Sequence, residues 1–154
     1  LAQLTATLAS RGERLRPRMV KQIGERQLAP EVQARFEVAD GHWDAVIEGM
    51  AGVIHGERGT ARHLARGANY HMAGKSGTAQ VVAIPQGEEY DSEALEERQR
   101  DHALFVGFAP LEKPEIAVAV IVENGEGGSS VAGPVVRKLF DAYFRGRSDA
   151  ISAR

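Results

Sequence analysis

Lys75, Ser76, Gly77 and Thr78 place a cation, two hydroxyls and a position without a side chain on four consecutive residues. They lie in the run 70–84, whose second half alternates small, polar and β-branched residues and predicts a strand. Side chains alternate faces along a strand, so Ser76 and Thr78 share one face with Gly77 between them. Two hydroxyls about 7 Å apart can both donate to a carboxylate lying across that face. Gly77 lets a ligand approach the backbone closely, and an extended peptide can pair with the strand edge. Lys75 supplies the cation that an anionic substrate end or a proton relay requires. Such a strand is poor core material and a good groove wall. Alone, four residues of these types also suit a solvated strand end, so the flanks decide.

Those flanks read Ala73-Gly74-Lys75-Ser76-Gly77-Thr78-Ala79-Gln80, then Asp101-His102-Ala103-Leu104-Phe105-Val106-Gly107-Phe108-Ala109-Pro110. The apolar run 115–125 follows. Together they resemble the third signature region of the penicillin-binding proteins, whose motif set is S-x-x-K, S-D-N and K-T-G. Ser76 stands at the Thr of K-T-G and keeps its hydroxyl. The resemblance runs through nearly the whole chain and is nearest the penicillin-binding protein 2 branch of class B. It covers only the last part of that family's transpeptidase domain. None of Ser10, Ser76, Ser92, Ser129, Ser130, Ser148 and Ser152 has Lys three residues on, and none has Asn two residues on. The chain is therefore expected to be a fragment without the nucleophile, inactive alone.

The resemblance implies a parent D,D-transpeptidase that cross-links peptidoglycan stem peptides through a serine acyl-enzyme and is acylated by β-lactams. In that setting Lys75 polarises the serine of an S-x-N motif and helps proton traffic. The hydroxyls of Ser76 and Thr78 hold the substrate or β-lactam carboxylate. The Thr78 N–H forms half of an oxyanion hole, a donor worth about 3 kcal/mol in the transition state. Gly77 keeps the groove open and Gln80 lies near its rim. No cofactor and no metal is implied. Implied partners are stem peptides and β-lactams, with a membrane glycosyltransferase and other elongation-machinery proteins met through the parent. The implied location is the periplasmic face of the inner membrane, the anchoring N-terminal helix lying outside this chain. A serine β-lactamase or D,D-carboxypeptidase shares the strand motif and remains an alternative. A non-catalytic peptide- or partner-binding module is another.

The elements that must position this strand are legible in outline. Leu1, Leu4, Thr5 and Leu8 recur at helical spacing until Gly12. Pro17 keeps 14–20 extended, and its arginines read as a solvated edge. Residues 24–41 show no period and read as a connector. Asp40 or Gly41 caps a helix over 42–54, with Trp43, Val46, Ile47, Met50, Val53 and Ile54 as its apolar stripe. Gly59-Thr60-Ala61 resembles a turn before the family's signature strand and is assigned structural support. The acidic stretch 85–100 is a solvated connection whose centre, 92–99, can form a short surface helix. Strands are expected over 103–109 and 116–123, joined by the loop 110–114 as a hairpin, which makes a three-stranded antiparallel meander. Ser129 or Ser130 opens a last helix through about Phe144, its buried stripe being Val131, Val135, Val136, Leu139, Phe140 and Tyr143. The expected class is α+β: an antiparallel sheet with packing helices, residues 1–146 forming the domain portion and 147–154 a tail.

Composition excludes several other functions. Charged residues make up 26% and apolar ones 43% of the 154 residues, an ordinary globular balance. A net charge of -2 gives no general attraction to nucleic acid or anionic lipid. There is no cysteine, so no thiolate metal site and no disulfide. His42, His55, His63, His71 and His102 lack the close pairing of a zinc site. Asp101 and His102 are adjacent on a strand and face opposite sides, which argues against a catalytic pair.

Overall fold

The computed structural model describes residues 1–83 and 95–152, with side chains through residue 146. Helix α1 (Ala2–Ala9) opens the chain. Its inward face carries Thr5 and Thr7, while Leu1 and Leu4 are exposed, against the expected leucine stripe. Each buried hydroxyl is satisfied within the helix: Thr5 donates to the Leu1 carbonyl at 3.0 Å and Thr7 to that of Gln3 at 2.9 Å. Arg11 and Gly12 turn the chain out of the helix in the left-handed region, with φ of 53° and 109°.

The stretch expected to be a connector is structured. β1 (Glu13–Leu15) pairs antiparallel with β4 (Val32–Arg35), and between them β2 (Gln22–Ile23) pairs with β3 (Arg26–Gln27). The arginines behave as a solvated edge: Arg16 meets Glu31, Arg35 meets Glu13, and Arg18 donates to the Ala29 carbonyl.

Helix α2 (Asp40–His55) follows, with Met50 and Ile54 buried and Val46 facing out. Beyond it, Gly59 is packed so tightly on the end of α2 that a side chain would strike the Gly52 carbonyl at 2.6 Å. Ala61 is fully buried beside it, and a 3-10 turn at Arg62–Ala65 leads to the central sheet.

That sheet is β5 (Ala73–Ala79), β6 (His102–Ala109) and β7 (Ile116–Val122), a continuous antiparallel meander. The helix expected over 92–99 falls partly outside the described residues; inside them Glu97–Gln99 forms a 3-10 turn. Residues directly opposite in an antiparallel pair share a face. One face carries Ala73, Phe108 and Val106 and packs on Leu8, Ile47 and Met50 of α1 and α2. The other carries Ala103 and Phe105 and packs on Ala132, Val136 and Phe140. The sheet is thus sandwiched between helices, an α+β architecture.

The last helix differs from expectation in start, phase and length. A π-type turn at Gly128–Ala132 precedes α3 (Gly133–Ser152). The buried ridge is Ala132, Val136 and Phe140, with Phe144 packed against it, whereas Val131, Val135 and Leu139 are exposed. Helical backbone runs through Ser152, past the end expected at about Phe144.

Candidate functional site

Among the described residues β5 pairs on one side only, with β6, and so stands at the edge of the sheet. The register runs without interruption from Ala73 opposite Phe108 to Ala79 opposite His102, so Gly77 occupies a regular ladder position and relieves no bulge. Lys75 and Gly77 stand opposite Val106 and Leu104, on the face that α1 and α2 cover farther along the strand. Ser76 and Thr78 stand opposite Phe105 and Ala103, on the α3 face. The shared face of the two hydroxyls is therefore as the alternation requires, and Lys75 lies across the strand from them.

The inner half of β5 is core and the outer half is surface. Ala73 is fully buried, whereas Lys75 and Thr78 are exposed and Ser76 and Gly77 half-buried. Lys75 donates from Nζ to the Ser76 carbonyl at 2.7 Å, and among the described residues no carboxylate pairs with it. A Cβ added at Gly77 would meet only the Leu104 Cβ, at 3.4 Å, so the space over this glycine is open. Gln80 is exposed just beyond the strand's end.

A second segment, absent from the expected site, lies against this strand. The turn after β7 brings Gly128 onto the Gly77–Leu104 pair. A side chain at Gly128 would strike the Gly77 carbonyl at 2.5 Å, the Leu104 carbonyl at 2.6 Å and the Gly77 nitrogen at 3.0 Å. Carbonyls of opposed residues lie this close only where the two form a hydrogen-bonded pair, so the Gly77 peptide groups face β6. By alternation the N–H and C=O groups of Ser76 and Thr78 face the free edge. That edge offers two backbone donors, two hydroxyls and an ammonium to one extended or anionic ligand. The Thr78 hydroxyl meanwhile donates to the Glu126 carbonyl at 3.4 Å, a long bond that a carboxylate can replace.

Asp101 and His102 serve the frame. Asp101 is buried and its Oδ1 accepts the Val81 N–H at 3.4 Å, while its carbonyl accepts the Glu126 N–H at 2.9 Å. His102 Nδ1 accepts the Asn124 N–H at 3.0 Å. The entrance to β5 is pinned separately. The Tyr70 hydroxyl donates to Asp141 at 2.7 Å, and Arg137 bonds the same carboxylate at 2.9 Å while also donating to the Leu64 and Arg66 carbonyls. Burial alone would raise the Asp141 carboxyl, but the bonds from Tyr70 and Arg137 outweigh it and hold its pKa below the ordinary value. Burial, and then the bond to Asp141, push the Tyr70 phenol well above its ordinary value. At the same corner His71 pairs with Glu112 at 2.7 Å, and the His55 ring nitrogen accepts the Met72 N–H at 3.2 Å. Among the described residues no three side chains gather as a metal site.

Residues 1–141 match the model of the penicillin binding protein transpeptidase domain. The chain is 43% identical over 148 residues to the peptidoglycan D,D-transpeptidase MrdA of Acinetobacter baumannii, covering 93% of this chain and 21% of that protein. It thus spans about a fifth of the length of the curated relatives it matches. Among solved structures it resembles Pseudomonas aeruginosa PBP2 in complex with WCK 5153, with TM-score 0.73 and 45% identity over 92% of this chain and 29% of that one. It also resembles PBP2 of Helicobacter pylori in its complex with MreC, with TM-score 0.55 and 36% identity over 70% of this chain and 18% of that one.

Proposed function

Because this chain belongs to the penicillin-binding protein transpeptidase domain family, we propose that it is the part of a peptidoglycan D,D-transpeptidase that supplies one wall of the active-site groove. The observation that carries the reading is the position of Lys75-Ser76-Gly77-Thr78 on a regular edge strand whose free side and open glycine suit an extended substrate. A serine nucleophile outside this chain attacks the penultimate D-Ala carbonyl of one stem peptide. The terminal D-Ala leaves with a proton, and the amine of a second stem peptide then takes the acyl group and frees the serine. A β-lactam opens on the same serine.

Lys75 brings its ammonium to the hydroxyl of the missing S-x-N element. Ser76 and Thr78 receive the substrate carboxylate, and the Thr78 N–H, facing the free edge, stabilises the developing oxyanion. Gly77 leaves room for the ligand backbone, and Gln80 stands at the rim. Substrate specificity therefore rests on an edge strand that takes one more strand from outside. The parent works at the periplasmic face of the inner membrane, beside a glycosyltransferase and other elongation proteins; the solved complex of a similar protein with MreC supports a partnership of that kind. Among the described residues no helix is long and apolar enough to cross a membrane.

The test is labelling of the longer protein with a fluorescent penicillin, followed by mapping of the adduct. A stable adduct on a serine followed three residues later by lysine, outside residues 1–154, is the expected result. An adduct that hydrolyses within seconds points instead to a β-lactamase, and no adduct at all overturns the reading.

A further inference from the structure

Of the bonds that tie the turn lying on β5 to the start of β6, one comes from a histidine to which the acyl-transfer chemistry gives no task. Residues 124–128 leave β7 with Asn124 and Glu126 in the left-handed region, at φ of 57° and 58°. Left-handed non-glycine residues need outside support to persist. That support comes from the start of β6. The Asn124 side chain donates to the Arg100 carbonyl at 2.9 Å, and the Glu126 N–H donates to the Asp101 carbonyl at 2.9 Å. The third tie is the Asn124 N–H on His102 Nδ1, at 3.0 Å. A backbone N–H can only donate, so this nitrogen must carry a lone pair. Nδ1 is therefore the accepting nitrogen of the His102 ring in this bond, the role it has in the tautomer that carries its proton on Nε2.

What the three ties hold in place touches the candidate site twice. Glu126 offers its carbonyl to the Thr78 hydroxyl, and Gly128 lies against the Gly77 peptide with no room for a Cβ. His102 itself stands opposite Ala79, at the end of the strand that carries the motif. The imidazole is thus joined to the motif through the turn and through the ladder at once.

We propose that His102 is a positioning residue of the site: by accepting the Asn124 N–H at Nδ1 it fixes the turn 124–128 against Gly77 and Thr78, and so sets the Thr78 hydroxyl and N–H at the free edge. The inference rests on reading β5 as an acyl-transfer wall. It adds a residue that neither touches substrate nor exchanges a proton with it.

Two substitutions in the longer protein test it. His102→Asn puts an amide oxygen near the place of Nδ1 and keeps an acceptor; His102→Leu keeps bulk and removes it. Penicillin acylation should fall at least about tenfold in His102→Leu, as displaced reacting groups do, and return to within about threefold in His102→Asn. Hydrogen exchange of the 124–128 amides should quicken in the leucine variant alone. Acylation at the unsubstituted rate in His102→Leu overturns the inference, as does equal impairment of both variants. Failure of the unsubstituted protein to be labelled overturns the acyl-transfer reading itself, and exchange at 124–128 still reports whether His102 holds the turn. Should His102→Leu not fold, nitrogen NMR of the unsubstituted protein decides, because a proton on Nδ1 is incompatible with the proposed bond.

Discussion

Lys75 contributes charge and almost no packing, since its side chain is exposed and among the described residues it bonds to the neighbouring Ser76 carbonyl. Lys75→Ala in the longer protein should leave the melting temperature within about 2 °C, as surface changes do, and still cut acylation by about a hundredfold, the loss of a charge-assisted contact made at the reacting centre. Labelling within a factor of two of the original would make it an ordinary surface lysine. Gly77 gives the complementary test. Its added Cβ meets nothing nearer than Leu104 at 3.4 Å, and the strand is regular through it. Valine is the better strand former by up to about 1 kcal/mol, so Gly77→Val should keep or raise stability and yet abolish acylation by filling the groove. Loss of stability with acylation retained in the folded protein would count against a ligand lying there. These residues were legible in the sequence because strand alternation alone assigns Ser76 and Thr78 to one face. Gly128 and His102 were not, because Gly128 meets Gly77 only through the folded turn and the tie of His102 to Thr78 runs through Glu126, 48 residues from Thr78 in the chain.

Among the elements, the β5–β6–β7 meander was readable because β6 and β7 are short apolar runs bounded by prolines and glycine, while β5 shows the alternation of small, polar residues that suits a strand. β1 to β4 were not: their residues are mostly exposed, so no buried face imposes an alternation on them. The phase of α3 was half legible. Val136 and Phe140 are buried as expected, but the ridge Val131, Val135 and Leu139 faces outward, and Ala132 takes the inner place. A small residue gives no hydrophobic signal, although a close helix–sheet contact requires one. The same helix fixes the entrance to β5 through Asp141, whose depressed pKa has a consequence for stability. A carboxyl that is more acidic in the folded state stabilises the fold above its ordinary pKa, and that contribution fades as pH falls through the folded value. Asp141→Asn should therefore cost about 2 kcal/mol near neutral pH, by weakening the bonds from Tyr70 and Arg137. The deficit should shrink as the pH is lowered through the carboxylate range. Parallel denaturant titrations of both proteins measure it; a gap that is constant with pH would mean the Asp141 charge does nothing for the fold.

At the scale of the whole molecule, the proposed function gives the chain one wall of a groove, and none of its serines has the lysine three residues on that the attacking serine requires. Its core is real, two clusters on the two faces of the sheet, so the wall can be held in shape by this part of the domain. Holding a wall is not catalysis. Preorganised donors lower a barrier only when a nucleophile stands opposite them, and positioning that nucleophile accounts for about 7–11 kcal/mol of the effect in well-oriented systems. Ser76 cannot substitute. It is half-buried on the α3 face of the strand, with Lys75 turned to the other face, and among the described residues no histidine is bonded to it. None of the remaining serines is followed by lysine at the third position. The chain of 154 residues by itself should consequently show no covalent label from a fluorescent penicillin after hours of incubation, while the longer protein labels within minutes. Intact-mass spectrometry reads both outcomes directly. A stoichiometric adduct on Ser76 or on any other serine of this chain would mean that the nucleophile had been sought in the wrong place, and the division of labour proposed for Lys75, Ser76 and Thr78 would fall with it.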